Sequence, residues 1–362
     1  IGAGPSGLVT VKELLEQGHR PVCFERAGSK GGVFRFGEKD GVVWESCRLT
    51  SSSLITAFSD FPASPAHSEH MSIGEYVEYL NEYCAAFDVE RHIRYGATVR
   101  AVTGAAEGGW NVQWTDGHAT FNDHFDSVAV CSGLHQNPHI PEFPGQQTYS
   151  GEVLHSAQYR RPGQVAGKKV LIVGVGESGA DLAAEVADHA AETVLSIRRG
   201  AAVVPRRSFG KPRDYLTSRL VNSASDWVFE TRNPADNRKR TIYRYAFLPL
   251  VVVDKGLVLL QRLFWEILPL CLPPRLAEIR LKLRKRKLTR QLLADSGGTL
   301  NEQFGTKDDR FVWAMAAGKC RRVSAIRSFD RQRVVFESGE TFTPDLVLLC
   351  TGFETRLPFI EE

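Results

Sequence analysis

Apolar and polar positions along this chain fall into one pattern that occurs twice. After Ile1 and the glycine-rich "GAGPSGL", Leu8, Val11, Leu14 and Leu15 recur at helical spacing, and "PVCFE" (21–25) is a short apolar run. The two periods predict a turn, an amphipathic helix and a buried strand, in that order. Further on, "KKVLIVGVGESGADLAAEVADHAAETVLSIRRG" (168–200) repeats the unit behind a leading strand, "VLIV". Leu182, Ala183, Val186 and Ala187 line its helix, and "TVLSI" is its second strand.

The tails of the two copies match as well. "WNVQWTDGHATFNDHFDSVAVCSG" (110–133) and "RVVFESGETFTPDLVLLCTG" (333–352) each alternate apolar and polar residues, turn at DG or SG, and close an apolar strand with Gly. That alternation predicts a β-meander in each copy. The fold class expected is therefore α/β, with two tandem Rossmann-like dinucleotide-binding domains, each carrying a meander. The boundaries predicted are 1–164 and 165–355, with a helical insertion at about 215–300 in the second, and 356–362 beginning a return to the first. Because the second copy has a leading strand and the first has only Ile1, the chain reads as a fragment clipped at both ends.

The insertion holds "AFLPLVVV" (246–253), "LVLLQRLFWEILPLCLPP" (257–274) and the basic run "RLKLRKRKLTR" (280–290). Asp254, Lys255, Arg262 and Glu266 break the apolar stretches below the ~18 residues that a spanning helix needs. Two readings stay open: a peripheral membrane contact through 246–290, or helices packed on the domain with a solvated basic face.

Composition narrows the classes. With 43% hydrophobic and 24% charged residues in 362, the chain has a globular make-up, and its formal charge of +3 supplies no field for nucleic acid. Seven cysteines stand far apart, with neither CxxC pairs nor His/Cys clusters at metal-ligand spacing. No metal site is expected, and the thiols read as reduced and mostly buried. The location expected is cytoplasmic, or peripheral on a cytosol-facing membrane.

The glycine turns carry the candidate chemistry. Gly2, Gly4 and Gly7 form GxGxxG ahead of a helix, the arrangement that lets a pyrophosphate approach backbone N–H groups at a helix N-terminus. Glu25, ending the next strand, sits where a carboxylate accepts from ribose hydroxyls, as in FAD or NAD. Gly174, Gly176 and Gly179, with Ser178, repeat the turn. Their strand ends instead in Ser196, Arg198 and Arg199, cations suited to the 2′-phosphate of NADPH. A plain ribose and a phosphorylated one together point to FAD plus NADPH. No dithiol is present for a disulfide reductase of this architecture.

Several stretches resemble the flavin-containing monooxygenases. "YSGEVLHSAQYR" (149–160) resembles their fingerprint FxGxxxHxxx(Y/F), with Gly151, His155 and Tyr159 in register and Tyr149 in place of Phe. "GGVFRFG" (31–37) resembles their GGxW segment, with Phe34 for Trp. "TAFSDFP" (56–62), "CSGLHQNPHIPEFPG" (131–145), "RRGAAVVPRRSFGKP" (198–212) and "LLCTGF" (348–353) resemble further stretches. The resemblance spans residues 1–214 and 299–355. It implies that Pro5, Ser6, Gly32, Val33 and Phe34 join the flavin site, and that His155 and Tyr159 brace the joint between domains. It also implies the activity: NADPH reduces FAD, O2 forms a C4a-hydroperoxyflavin, and a small-molecule nucleophile, amine nitrogen or thioether sulfur, takes the distal oxygen. Tyr159 followed by Arg160 favours this N- and S-oxygenating branch. The family's Asn near the flavin is missing from "LTSSSLITAFSDF" (49–61), where Ser51 and Ser53 stand close to its position. Three alternatives remain: a Baeyer–Villiger-type ketone oxygenase, an uncoupled NADPH oxidase, and a flavin-free interaction protein.

Overall fold

The computed structural model describes residues 1–37, 41–208, 210–216, 230–232, 239–241, 277–297 and 305–360. They form two compact units, one of Ile1–Arg198 with Cys320–Glu362 and one of Arg199–Lys319.

A five-stranded parallel sheet dominates the first unit, in the order Cys320–Val323, Glu192–Ser196, Lys169–Val173, Leu346–Leu349, Glu152–His155. Leu346–Leu349 is an uninterrupted apolar run because neighbours flank it on both sides and all four residues are buried. Helix Glu177–His189 packs Leu182, Ala183 and Val186 inward. Strands Ile326–Asp330, Arg333–Phe336 and Thr341–Phe342 form the expected antiparallel meander, closing a core with Leu171, Val194 and Val347.

The N-terminal part of the same unit has helix Pro5–Glu16, then Cys23–Phe24 parallel to Ile93–Arg94. Its meander is Thr98–Gly104, Trp110–Thr115 and Thr120–Phe125. Helix Ile73–Ala86 starts at a capping box: the Ser72 hydroxyl accepts from Glu75 N–H at 3.3 Å, and the Glu75 carboxylate accepts from Ser72 N–H at 2.7 Å. It buries Tyr76, Tyr79, Leu80 and Tyr83 against Leu8 and Val11. Two expectations shrink here. The strand predicted at 21–25 is only two residues long, and the apolar run before Cys131 is not a strand. Both meet the chain at its first two residues, where Gly2 N–H donates to Phe24 O at 2.8 Å. Ile1 donates to Ala129 O and accepts from Cys131 N–H, each at 2.8 Å, and one residue makes no ladder. The end of the chain meets the first meander, where Val102 N–H donates to Phe359 O at 2.6 Å.

In the second unit, helices Ala277–Asp295 and Arg310–Ala316 pack with a bridge between Val203 and Thr306. The basic helix turns Leu283 and Leu292 inward, and Lys285 pairs with Asp309 at 2.7 Å over the Trp313 ring. The apolar stretches at 246–253 and 257–274 lie outside the described residues. Among those described, no helix is long and apolar enough to cross a membrane.

Candidate dinucleotide sites

The two glycine turns superpose in their hydrogen bonds, not only in their letters. Gly2 N–H donates to Phe24 O at 2.8 Å, and Gly174 N–H donates to Ser196 O at 3.0 Å. Cys131 N–H donates to Ile1 O, and Cys350 N–H to Val173 O. Gly2 and Gly174 hold φ of +101° and +99°, and a Cβ on either would stand 2.6 Å from the carbonyl of Cys131 or Cys350. Gly7 and Gly179 let each helix close on its own turn: a Cβ would sit 1.8 Å from Gly2 O and 2.3 Å from Gly174 O. Only glycine fits these four positions.

Phe24 and Ser196 being equivalent, the next residue is Glu25 in one copy and Ile197 in the other. A carboxylate in the first copy is therefore replaced by a buried aliphatic side chain in the second, with Arg198 one step beyond. Glu25 is 5% exposed; its Oε2 accepts from Ala3 N–H at 2.7 Å and its Oε1 from Ala27 N–H at 2.9 Å. A carboxylate offers roughly four acceptor sites, so lone pairs remain for two more donors. Ser196 is buried and its hydroxyl donates to Ser324 O at 2.8 Å, while Arg198 and Arg199 are exposed.

A cavity of about 350 Å³ opens over the first turn. Gly2, Gly4, Pro5, Ser6, Glu25, Gly32 and Val33 line it together. Gly4 and Gly32 face each other there: a Cβ on Gly32 would meet Gly4 Cα at 3.1 Å. Phe34 turns away, edge-on to Tyr76 at 4.9 Å, and Gly7 lies beneath the turn, buried. Ser51 and Ser53 are not among the lining residues; Ser53 opens the short helix Ser53–Thr56. The lining also includes Arg100, Gln136, Asn137 and Arg356, which the sequence reading did not single out. The "CSG" exit at 131–133 was the available signal for two of them, since chain leaving a glycine-closed strand runs past the turn.

The fingerprint residues each have a partner. The Tyr149 hydroxyl donates to Pro344 O at 2.8 Å, and its ring covers Gly151, where a Cβ would lie 2.3 Å from the hydroxyl oxygen. His155 Nδ1 accepts from Ala157 N–H at 3.1 Å and its Nε2 meets Gly352 O at 3.0 Å. A carbonyl can only accept and an N–H only donate, so the ring is neutral with its proton on Nε2. Burial, above all, lowers its pKa. Tyr159 is fully buried and donates to Glu185 Oε1 at 2.7 Å; burial first, and Glu185 second, push its phenol up.

Comparison with known proteins fits this arrangement. Residues 1–232 match the family model described as flavin-binding monooxygenase-like. The chain belongs to that family. Over its whole length it is 32% identical to 4-hydroxybenzoate brominase (decarboxylating) from Pseudoalteromonas luteoviolacea, covering 63% of that protein. Human flavin-containing monooxygenase 5 is 37% identical over 235 residues, which is 61% of this chain and 44% of that one. Among solved structures, an oxidized steroid monooxygenase bound to NADP aligns over 97% of the chain and 70% of its own, with TM-score 0.66 and 19% identity, a likeness of fold. The chain spans less than two thirds of the length of these curated relatives. The Rossmann-like α/β class expected from the repeated pattern agrees with these family neighbours.

Proposed function

We propose that this protein is a flavin-dependent monooxygenase that uses FAD, NADPH and O2 to oxygenate a soft nucleophile, an amine nitrogen or a thioether sulfur. The observation that carries this reading is the duplicated cradle whose copies part at the end of the second strand, Glu25 against Ile197, with Arg198 following. The FAD- and NADP-type domains are read as the tandem copies at 1–164 and 165–355.

The cavity over the first turn fits a dinucleotide: it has glycine where a pyrophosphate needs backbone, a helix N-terminus behind it, and a buried carboxylate with spare lone pairs. Gly2, Gly4, Pro5, Ser6 and Gly7 would form the FAD pyrophosphate cradle, Glu25 would accept from its ribose, and Gly32 and Val33 would continue the site, with Phe34, expected there too, packed instead on Tyr76. Gly174, Gly176, Ser178 and Gly179 would hold the pyrophosphate of NADPH. Arg198 and Arg199 would serve its 2′-phosphate, where guanidinium forks match the anion, whereas the Ser196 hydroxyl expected beside them is buried and gives its one proton to Ser324 O. The flavin, once reduced, supplies the oxygen-activating chemistry. The chain's part is to orient the partners and keep the joint rigid: the neutral His155 ties the fingerprint to Gly352, and Tyr159 ties it to Glu185.

The test is stoichiometry. With a thioether present, sulfoxide formed should equal NADPH consumed; one hydrogen peroxide formed from O2 for every NADPH oxidised would mark an uncoupled oxidase, and a colourless protein would end the reading. A second reading has its own observation, the whole-chain match to a brominase. There the nucleophile that takes oxygen is bromide rather than sulfur or nitrogen. Adding bromide and a phenol separates the two, because only the second reading yields a brominated ring.

A further inference from the structure

We propose that Glu185 is a positioning residue for hydride transfer, holding the segment Gly41–Cys47, whose Val42 N–H donates to the cavity-lining Val33 O at 3.2 Å, and the helix of the second glycine turn in one register through its two carboxylate oxygens. This rests on the FAD and NADPH reading above. Oε1 accepts from the Tyr159 hydroxyl at 2.7 Å, and Oε2 accepts from the Ser46 hydroxyl. Tyr159 belongs to the fingerprint and Ser46 to the stretch that leads into Thr50–Ser53, so a single side chain ties together three separate parts of the sequence.

The same stretch is fastened beside it. Arg160 donates to Gly41 O at 2.7 Å and its own carbonyl accepts from Glu45 N–H at 2.8 Å. Trp44 is buried with its ring 6.5 Å from that of Tyr159. Arg160 and Trp44, however, tie Gly41–Glu45 to the fingerprint alone. Among these contacts, only Glu185 reaches the helix that opens at Gly176, on which it lies eight residues beyond Glu177. At 1.5 Å per residue that is ~12 Å of rigid helix between carboxylate and nucleotide turn. Losing the carboxylate should therefore let the turn drift relative to Gly41–Cys47 without altering the turn itself. Hydride transfer is sensitive to such drift, while nucleotide affinity, set at the turn, is not.

The experiment compares Glu185→Ala and Glu185→Gln with wild type. Gln keeps one acceptor, and its amide can donate to the second hydroxyl after that hydroxyl rotates. NADPH-driven flavin reduction should fall ~10–100-fold in Glu185→Ala, the scale on which a misplacement of about 1 Å acts, with NADPH Kd moving less than about 3-fold. Reduction by dithionite, which needs no nicotinamide alignment, should keep its wild-type rate, and Glu185→Gln should recover most of the lost rate. In cofactor-free protein, amide exchange across 41–47 should quicken in Glu185→Ala. Wild-type NADPH kinetics in Glu185→Ala, equal slowing by both reductants, or a loss explained by Kd would each overturn the inference. Should Glu185→Ala not fold, Ser46→Ala removes one tether from an exposed position and decides by the same measurements. A wild-type protein that holds flavin yet is not reduced by NADPH refutes the cofactor reading itself, a separate outcome.

Discussion

Gly176→Ala separates a glycine kept for a ligand from one kept for the fold. Gly176 has φ −68° and ψ −168°, open to any L residue, and a Cβ there would meet nothing within 4 Å. Three residues on, a Cβ at Gly179 would stand 2.3 Å from Gly174 O and 3.2 Å from Cys350 Cβ. In the protein alone, Gly176→Ala should be neutral or stabilising by ~0.4–1 kcal/mol, because the unfolded chain loses freedom. Gly179→Ala should cost about 1–3 kcal/mol, as overpacking does. With NADPH the order reverses in interest. The new methyl of Gly176→Ala stands at the helix N-terminus where a pyrophosphate needs bare backbone. Weakening one charge-assisted hydrogen bond of ~1.5–3 kcal/mol raises Kd ~10–100-fold. Thermal melting and an NADPH fluorescence titration on the same sample read both quantities. A variant that melts like wild type and binds NADPH within about 2-fold of it would refute the reasoning, since no pyrophosphate then lies against Gly176. Gly4→Ala is the matching test in the first copy: its Cβ would be 3.7 Å from Gly32 Cα, ordinary contact, so flavin retention should fall while NADPH binding holds.

Other expectations follow from charge and burial. Arg198→Ala should weaken NADPH ~10-fold or more and leave NADH nearly unchanged; equal losses would remove the 2′-phosphate assignment. His155 has its pKa lowered from the ordinary 6.5 by burial, so below that pH the unfolded chain binds a proton that the folded one refuses. Stability should thus fall as pH drops from about 6.5, and His155→Gln should flatten that limb in melts at pH 5–7. Burial pushes the thiols of Cys23 and Cys84 up to about 11 and those of Cys320 and Cys350 up to about 12. Native alkylation at neutral pH, read by mass spectrometry, should reach the half-buried Cys47 and Cys131 ahead of these four.

What could be read from the sequence was whatever local sterics dictate. Gly2, Gly7, Gly174 and Gly179 are forced by carbonyls a few residues away or by the strand exit, so their spacing alone announces the turn. The meanders announced themselves by period-two alternation and their DG and SG turns. The expected strand at 21–25 was overlong because strand length depends on what pairs with it, which no window of sequence contains. The cavity wall supplied by Arg100 and Arg356 was invisible for the same reason: these positions carry no motif and meet the turn only through the fold.

The fingerprint lies between these cases. Its spacing was legible, yet the reasons for it are long-range: Tyr149 bonds Pro344, His155 bonds Gly352, and Tyr159 bonds Glu185. Two of the three partners lie nearly two hundred residues away, so the pattern marks a seam between chain segments rather than a reacting centre. That placement argues against His155 as an acid or base. Its two ring nitrogens are engaged by main chain, its proton is fixed on Nε2, and a charged ring would set Nδ1–H against Ala157 N–H. A catalytic histidine must exchange protons near neutral pH; this one is held where doing so breaks the seam. On the function proposed above, the motif serves the reaction by rigidity, with Glu185 as the point where that rigidity reaches the helix of the second glycine turn.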